Sequence, residues 1–236
     1  MNRLTRKQLK GDKFAQEVGA TVSWVDHNKD LLIRYGAIAL VVVLLGGGIY
    51  FFVRHRSEVR EEALSQALRI DLATVAAPQP APGTLNYATQ QEKDKARVKA
   101  FTDLSVEYHG SQEGSIAEMY MASDAADKGD LINAERLYKD VVDSAPKDFA
   151  AMARLSLAQV YAAENKTDEA EKLLRYAVAH PTMTVSKEEA SIHLAKLIGC
   201  SQPDEARKIL DPLRMVRTSV SRAAVTTLGE LAPCFK

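Results

Sequence analysis

The side chains of this chain that could do chemistry are few and far apart. Its five histidines, His27, His55, His109, His180 and His193, are scattered, and no two share the spacing with which one helix presents metal ligands. His109 and His180 each close a stretch of helical periodicity, where a polar or cationic ring suits the carbonyl end of a helix. The adjacent acids Asp168-Glu169 and Asp204-Glu205 each open such a stretch, which suits them to capping and to the helix dipole. General acid–base work would need two carboxylates converging in one pocket, and these lie apart. Asn165-Lys166-Thr167 fits an N-glycosylation acceptor, yet the same residues are turn formers. No G-x-S-x-G, H-E-x-x-H, P-loop or G-x-G-x-x-G occurs, and Gly46-Gly47-Gly48 sits inside an apolar run. These residues predict a protein that is not an enzyme, with no cofactor, no metal and no small-molecule substrate. Zero net charge without a basic stripe argues against nucleic acid.

That apolar run is the dominant element. Nineteen residues, Tyr35 to Val53, carry no charge between Arg34 and Arg54. At about 1.5 Å of rise per residue, such a helix matches the hydrocarbon thickness of a bilayer. A core helix would be interrupted by polar positions. A cleaved signal peptide would have a shorter run and a small-x-small site, whereas 34 polar residues precede this one and Val53-Arg54-His55-Arg56 follows it. The chain therefore divides into a tail (1–34), a transmembrane helix (35–53) and a part beyond it (54–236). The tail has seven basic and four acidic residues, net +3, and the remainder is net −3, which favours a tail inside the cell. Close to the membrane the count reverses, with Lys29 and Arg34 on one side and Arg54, Arg56, Arg60 and Arg69 on the other.

Thr5-x-x-Gln8 followed by Phe14, Val18, Val22 and Val25 predicts a short amphipathic helix over 13–28, with Trp24 at the membrane interface. Val59, Ala63, Ala67 and Ile70 mark a further helix over 54–75. Three prolines in Pro78-Gln79-Pro80-Ala81-Pro82 then enforce a linker over 76–85.

From 86 to 236 the chain is helical in period and repeats itself. Asn133-Ala134, Glu169-Ala170 and Glu205-Ala206 are 36 residues apart, as are Tyr138, Leu174 and Leu210 one turn later. Small residues Ala122, Ala158 and Ala195 precede them across a turn, and Pro146 and Pro181 close the first two units. Units fall at about 115–146, 151–181 and 187–213, with a capping helix over 219–231. Residues 86–108, with the helix before them, would make a weak zeroth unit, although Thr102 stands where Tyr138 has its counterpart. Cys200 lies five residues after Ala195 and Cys234 five after Gly229, so parallel placement of the last helix would align the two thiols. Neighbouring helix axes lie about 8–10 Å apart while bridged Cα atoms need about 7 Å or less, a difference Pro233 could bend away. A disulfide pinning the C-terminus and two separate thiols both stay open.

This layout resembles the tetratricopeptide repeat, in which a small residue on helix A meets an alanine on helix B. The fold class is thus all-α, one transmembrane helix followed by a tetratricopeptide-like helical-hairpin solenoid. The resemblance implies that helix A lines an inner groove, which here would present Ile116, Met119, Ser123, Met152, Leu155, Gln159, Ile192 and Lys196 to a partner. A second surface, Arg207, Lys208, Arg214, Arg217 and Arg222, could meet acidic groups. The whole arrangement is similar to the YfgM-like ancillary subunit of the bacterial Sec translocon, carried by Asp127-Lys128-Gly129-Asp130 and by Leu155-Ser156-Leu157-Ala158 through Asp168-Glu169-Ala170. It implies an inner-membrane protein with its N-terminus in the cytoplasm and its repeat domain in the periplasm. The implied role is a scaffold for translocon subunits, periplasmic chaperones or emerging chains. An adaptor for envelope assembly or division would use the same groove. A receptor subunit would need a cytoplasmic effector, for which 34 residues are too few.

Overall fold

The computed structural model describes residues 29–76, 83–216 and 219–235. The amphipathic helix expected over 13–28 and the three linker prolines lie outside these residues. The chain forms two units, one ending at Glu58 and one running from Val59 onward. The first helix, α1 (Lys29–Asp71, 43 residues), contributes to both. The sequence reading splits this stretch at Arg54 and extends it to Val75. Instead the helix is unbroken and stops at Asp71, because nothing between Val53 and Arg56 breaks a helix. In the first unit the large apolar side chains of 35–53 are between 53% and 73% exposed, which no core helix would tolerate. At the polar end of the run the Arg54 guanidinium binds Glu58 at 3.2 Å and Arg56 lies over the Phe52 ring at 5.8 Å. Aromatic and basic residues side by side suit a membrane interface.

The second unit begins with the last turns of α1. After Asp71, β1 (Thr74–Val75) pairs in parallel with β2 (Asn86–Tyr87), two residues each, and so closes the linker at its base. Then follow α2 (Gln90–Glu107), α3 (Gln112–Asp127), α4 (Leu131–Ser144), α5 (Lys147–Ala163), α6 (Thr167–Ala179), α7 (Lys187–Ile198), α8 (Pro203–Leu213) and α9 (Ser219–Glu230). Helix starts carry local signals. Thr89, Ser111, Asp130 and Ser186 each accept a hydrogen bond from the backbone N–H three residues on, at 3.1–3.2 Å. Asp168-Glu169 and Asp204-Glu205 are not caps. They sit in the first turns of α6 and α8, after Lys166 and Gln202, so only the dipole half of their expected role stands. Gly129 (φ +79°) and Asn165 (φ +62°) occupy the same left-handed turn position 36 residues apart. Asn165 is thus accounted for as a turn residue.

The hairpins α3–α4, α5–α6 and α7–α8 pack as successive units. Ala134, Ala170 and Ala206 are all 0% exposed, since only a methyl group fits where two backbones approach so closely. Ala122, Ala158 and Ala195 face them from the first helices, and Tyr138, Leu174 and Leu210 are buried one turn later. The end of α1, α2 and α3 meet in a cluster of Ala67, Phe101, Leu104 and Ala117. Arg60 bonds the buried Glu113 at 2.9 Å across it.

A polar ladder with the same 36-residue period runs up the turns. Glu135 receives Lys139 at 2.5 Å and Lys166 of the next hairpin at 2.7 Å. Glu171 receives Arg175 at 2.7 Å and Gln202 of the next hairpin at 3.4 Å. Arg207 replaces the acid at the third step. It donates to the Phe235 carbonyl at 2.7 Å and lies over that ring at 4.6 Å, so the ladder ends on the C-terminus. There a short 3-10 helix (Ala232–Phe235) turns back toward the end of α7. It brings Cys234 to Cys200, in a disulfide with Cα atoms 4.8 Å apart. The helix-to-helix spacing that argued against a bridge does not apply, because Cys234 lies beyond α9. Leu231 approaches so closely that a Cβ on Gly199 would collide with it.

Candidate partner-binding groove

Between α2, α3 and α4 the second unit holds an open groove of about 660 Å³. The irregular repeat position helps explain it. In the regular units a bulky residue, Tyr138 or Leu174, fills the space toward the next hairpin, and in α2 the equivalent residue is the exposed Thr102. Its hydroxyl reaches only the Met121 sulfur, at 3.4 Å. The missing bulk leaves apolar surface open to solvent. Phe101 is buried and stacks on Tyr120, with ring centroids 5.0 Å apart and planes at 7°. Tyr120 stays 43% exposed and Val106 74%, both on the groove wall. Exposed aromatic and aliphatic groups in a concave surface are what polypeptide recognition uses.

The two ends of the groove differ in charge. At one end Arg97 binds Asp124 at 2.6 Å and Asp71 at 3.4 Å, and Lys128 also binds Asp124 at 2.6 Å. Burial pulls the Asp124 carboxyl upward, but Lys128 and Arg97 together hold it below its ordinary range. Every charge in this network has an opposite partner.

At the other end stand His109, in the turn after α2, Glu118 of α3 and Asp140 of α4. Glu118 is 5% exposed. Burial, and then a hydrogen bond and repulsion from Asp140, push its pKa up to about 8, while Arg136 acts in the opposite sense. Near neutral pH the Glu118 carboxyl therefore favours its protonated form. The His109 Nδ1 lies 3.8 Å from Asp140. One ligand atom from each of these three residues falls within 4.8 Å of the others, so among the described residues this is the group that could hold a metal ion. The scattered histidine spacing concealed it, because the group spans a turn and two helices.

The eight sequence-assigned partner residues lie elsewhere. None lines this groove. Leu155 is a buried core member, and Met119, Met152 and Ile192 are half-buried against the same core. Ile116 is half-buried, and Ser123, Gln159 and Lys196 are exposed. Lys196 is tied to Glu230 of α9 at 2.8 Å. Ile116, Met119 and Ser123 mark the side of α3 roughly opposite Glu118, Met121 and Ala125, by the turn of about 100° per residue. In the basic surface, Arg207 is engaged by Phe235 and Arg214 by Asp211 at 3.2 Å; Arg217 is outside the described residues.

A family model described as a tetratricopeptide repeat-like domain matches residues 23–190, from before the apolar run into α7. No curated protein and no solved structure matches the chain.

Proposed function

The chain belongs to the tetratricopeptide repeat-like family, and from that premise we propose that it is a non-enzymatic protein-interaction scaffold held at a membrane by α1. The observation that carries the proposal is the groove of α2, α3 and α4, open where Thr102 withholds the bulk of the regular repeats. Val106 and Tyr120 supply the apolar contact a polypeptide segment needs. In this reading residues 35–53 cross the bacterial inner membrane, the basic tail stays in the cytoplasm and the repeat domain faces the periplasm. The net +3 tail and the similarity to the YfgM-like family support that orientation. Partners are then translocon subunits, periplasmic chaperones or chains emerging from the translocon. The experiment is a photocrosslinking amino acid at Val106 of the full-length protein in bacterial cells. The expected result is adducts with one of those three kinds of partner, lost when Thr102→Tyr fills the groove. Absence of adducts, or adducts indifferent to Thr102→Tyr, would overturn the assignment of this groove.

A further inference from the structure

We propose that the Cys200–Cys234 bridge is a thiol–disulfide exchange site, attacked at Cys200 by a dithiol, whose opening uncaps the C-terminal end of the hairpin stack. The bridge does not cross the core. It joins the turn after α7 to the 3-10 helix beyond α9, with Cα atoms 4.8 Å apart. Cys200 is exposed and Cys234 half-buried, so an incoming thiolate meets the Cys200 side of the bond first. Access to one sulfur over the other decides which is attacked.

What the bridge holds is a helix with little apolar anchorage of its own. α9 packs against α7 and α8, but within it only Ala224 and Thr227 are buried. Leu228 is half-buried and Val225 is 53% exposed. Alanine and threonine bury far less apolar area than the fully buried Leu210 that anchors α8. The large side chain that ties the cap to the core is Leu231, just beyond α9, which is seated on Gly199. Gly199 and Cys200 thus meet Leu231 and Cys234, and the seat and the bridge form one clasp. The other ties are at the surface. Arg207 donates to the Phe235 carbonyl at 2.7 Å and lies over its ring. Lys196 pairs with Glu230 at 2.8 Å, but both side chains are exposed, where such a pair contributes little.

Opening takes two exchanges. A thiolate of the dithiol attacks the Cys200 sulfur, the S–S bond breaks, and Cys234 leaves as a thiolate that takes a proton from solvent. The second thiol of the reductant then attacks the mixed disulfide, frees Cys200 and closes the reductant's own disulfide. Two electrons pass from the dithiol to the bridge, and two protons end on the cysteines. Leu231 is then held by packing alone. Segments with few buried apolar contacts are those that open locally, so α9 lifts away. It leaves open the side chains of α7 and α8 that share a core with Ala224 and Leu231, Ile198 and Leu210 among them. A disulfide oxidant restores the cap by the reverse sequence.

The test uses the full-length chain in zwitterionic detergent, purified without reductant. Dithiothreitol, with no denaturant, should reduce the bridge and speed amide hydrogen exchange across 219–231 at least about tenfold, while 112–179 keeps its protection. Glutathione disulfide should restore the slow exchange. With reduced glutathione as a monothiol and N-ethylmaleimide as the quench, peptide mass spectrometry should find glutathione on Cys200 and maleimide on Cys234. A variant carrying Cys200→Ser and Cys234→Ser should exchange fast across 219–231 with or without dithiothreitol, and protection of 112–179 shows that it has folded. A bridge that yields only in denaturant would overturn the proposal, as would exchange across 219–231 that is the same in the reduced and the bridged protein. Glutathione found chiefly on Cys234 would overturn attack at Cys200.

Discussion

At Glu118 the fold holds a carboxyl group in an environment that penalises its charge. Its pKa is about 8 in the folded chain against an ordinary 4.5, so the folded state binds the proton more tightly than the unfolded state. The stability it contributes is fully present below about pH 4.5 and is lost as pH rises through about 8. Glu135 works in the opposite sense. Hydrogen bonds from Lys139 and Lys166 hold it down to about 2, so its contribution is present above about pH 4.5 and is lost as pH falls toward 2. Denaturant titrations at pH 5, 7 and 9 should therefore show stability falling across that range, and Glu118→Gln should flatten the fall. An identical slope in the variant would show that Glu118 does not carry the dependence. A second residue-scale prediction concerns Cys200 and Cys234, 34 residues apart. Alkylation of the unfolded, unreduced protein should find no free thiol. Cys234→Ser should cost about 3–4 kcal/mol by the loop-closure estimate for this separation. Two alkylated thiols per chain would show that the pair is open in the protein as made.

Among the elements, the α5–α6 hairpin depends on a contact too close for anything beyond a methyl group at Ala170. Ala170→Leu should force the helices apart and cost roughly 1–3 kcal/mol, read as a lower melting temperature and denaturant midpoint. An unchanged midpoint would mean that the 36-residue register does not describe the packing. This register was legible in the sequence because close helix packing restricts certain positions to small residues, and the restriction recurs wherever the hairpin does. The apolar run was legible for a similar reason, since a bilayer demands length and lack of charge together. Other features had weaker signals. The unbroken passage of α1 beyond Arg54 leaves no mark, because charged residues are as helical as apolar ones. The polar ladder of Glu135 and Glu171 was written in the 36-residue period, but polar positions repeat on solvated faces as well and do not reveal their partners. The metal-capable group and the groove were not legible. His109, Glu118 and Asp140 come from three elements with no common spacing, and only the packing of α2 against α3 and α4 brings them together. The single clue was negative, the Thr102 that breaks the repeat pattern. The disulfide stayed undecided because its geometry depends on the 3-10 turn after α9, which a straight-helix argument omits.

For the molecule as a whole, two properties of the sequence divide the work. One helix is long and apolar enough to cross a membrane, and among the described residues a stack of hairpins holds an open groove of about 660 Å³. Tetratricopeptide-like domains are typically interaction modules, and the physical reason holds here. Stacked hairpins expose long faces of rigid helix, while irregularities in the repeat decide where those faces open. Exposed Val106 and Tyr120 give that opening an apolar wall. The central claim, that the groove of α2, α3 and α4 is where a polypeptide partner docks, is tested most directly by hydrogen–deuterium exchange. The full-length protein in zwitterionic detergent is compared with and without an excess of a reduced, alkylated secretory protein kept unfolded. The account predicts slower exchange in the segments 97–109 and 118–140, absent in the Thr102→Tyr variant. Protection confined to other segments, or none at all at saturating partner, would contradict it.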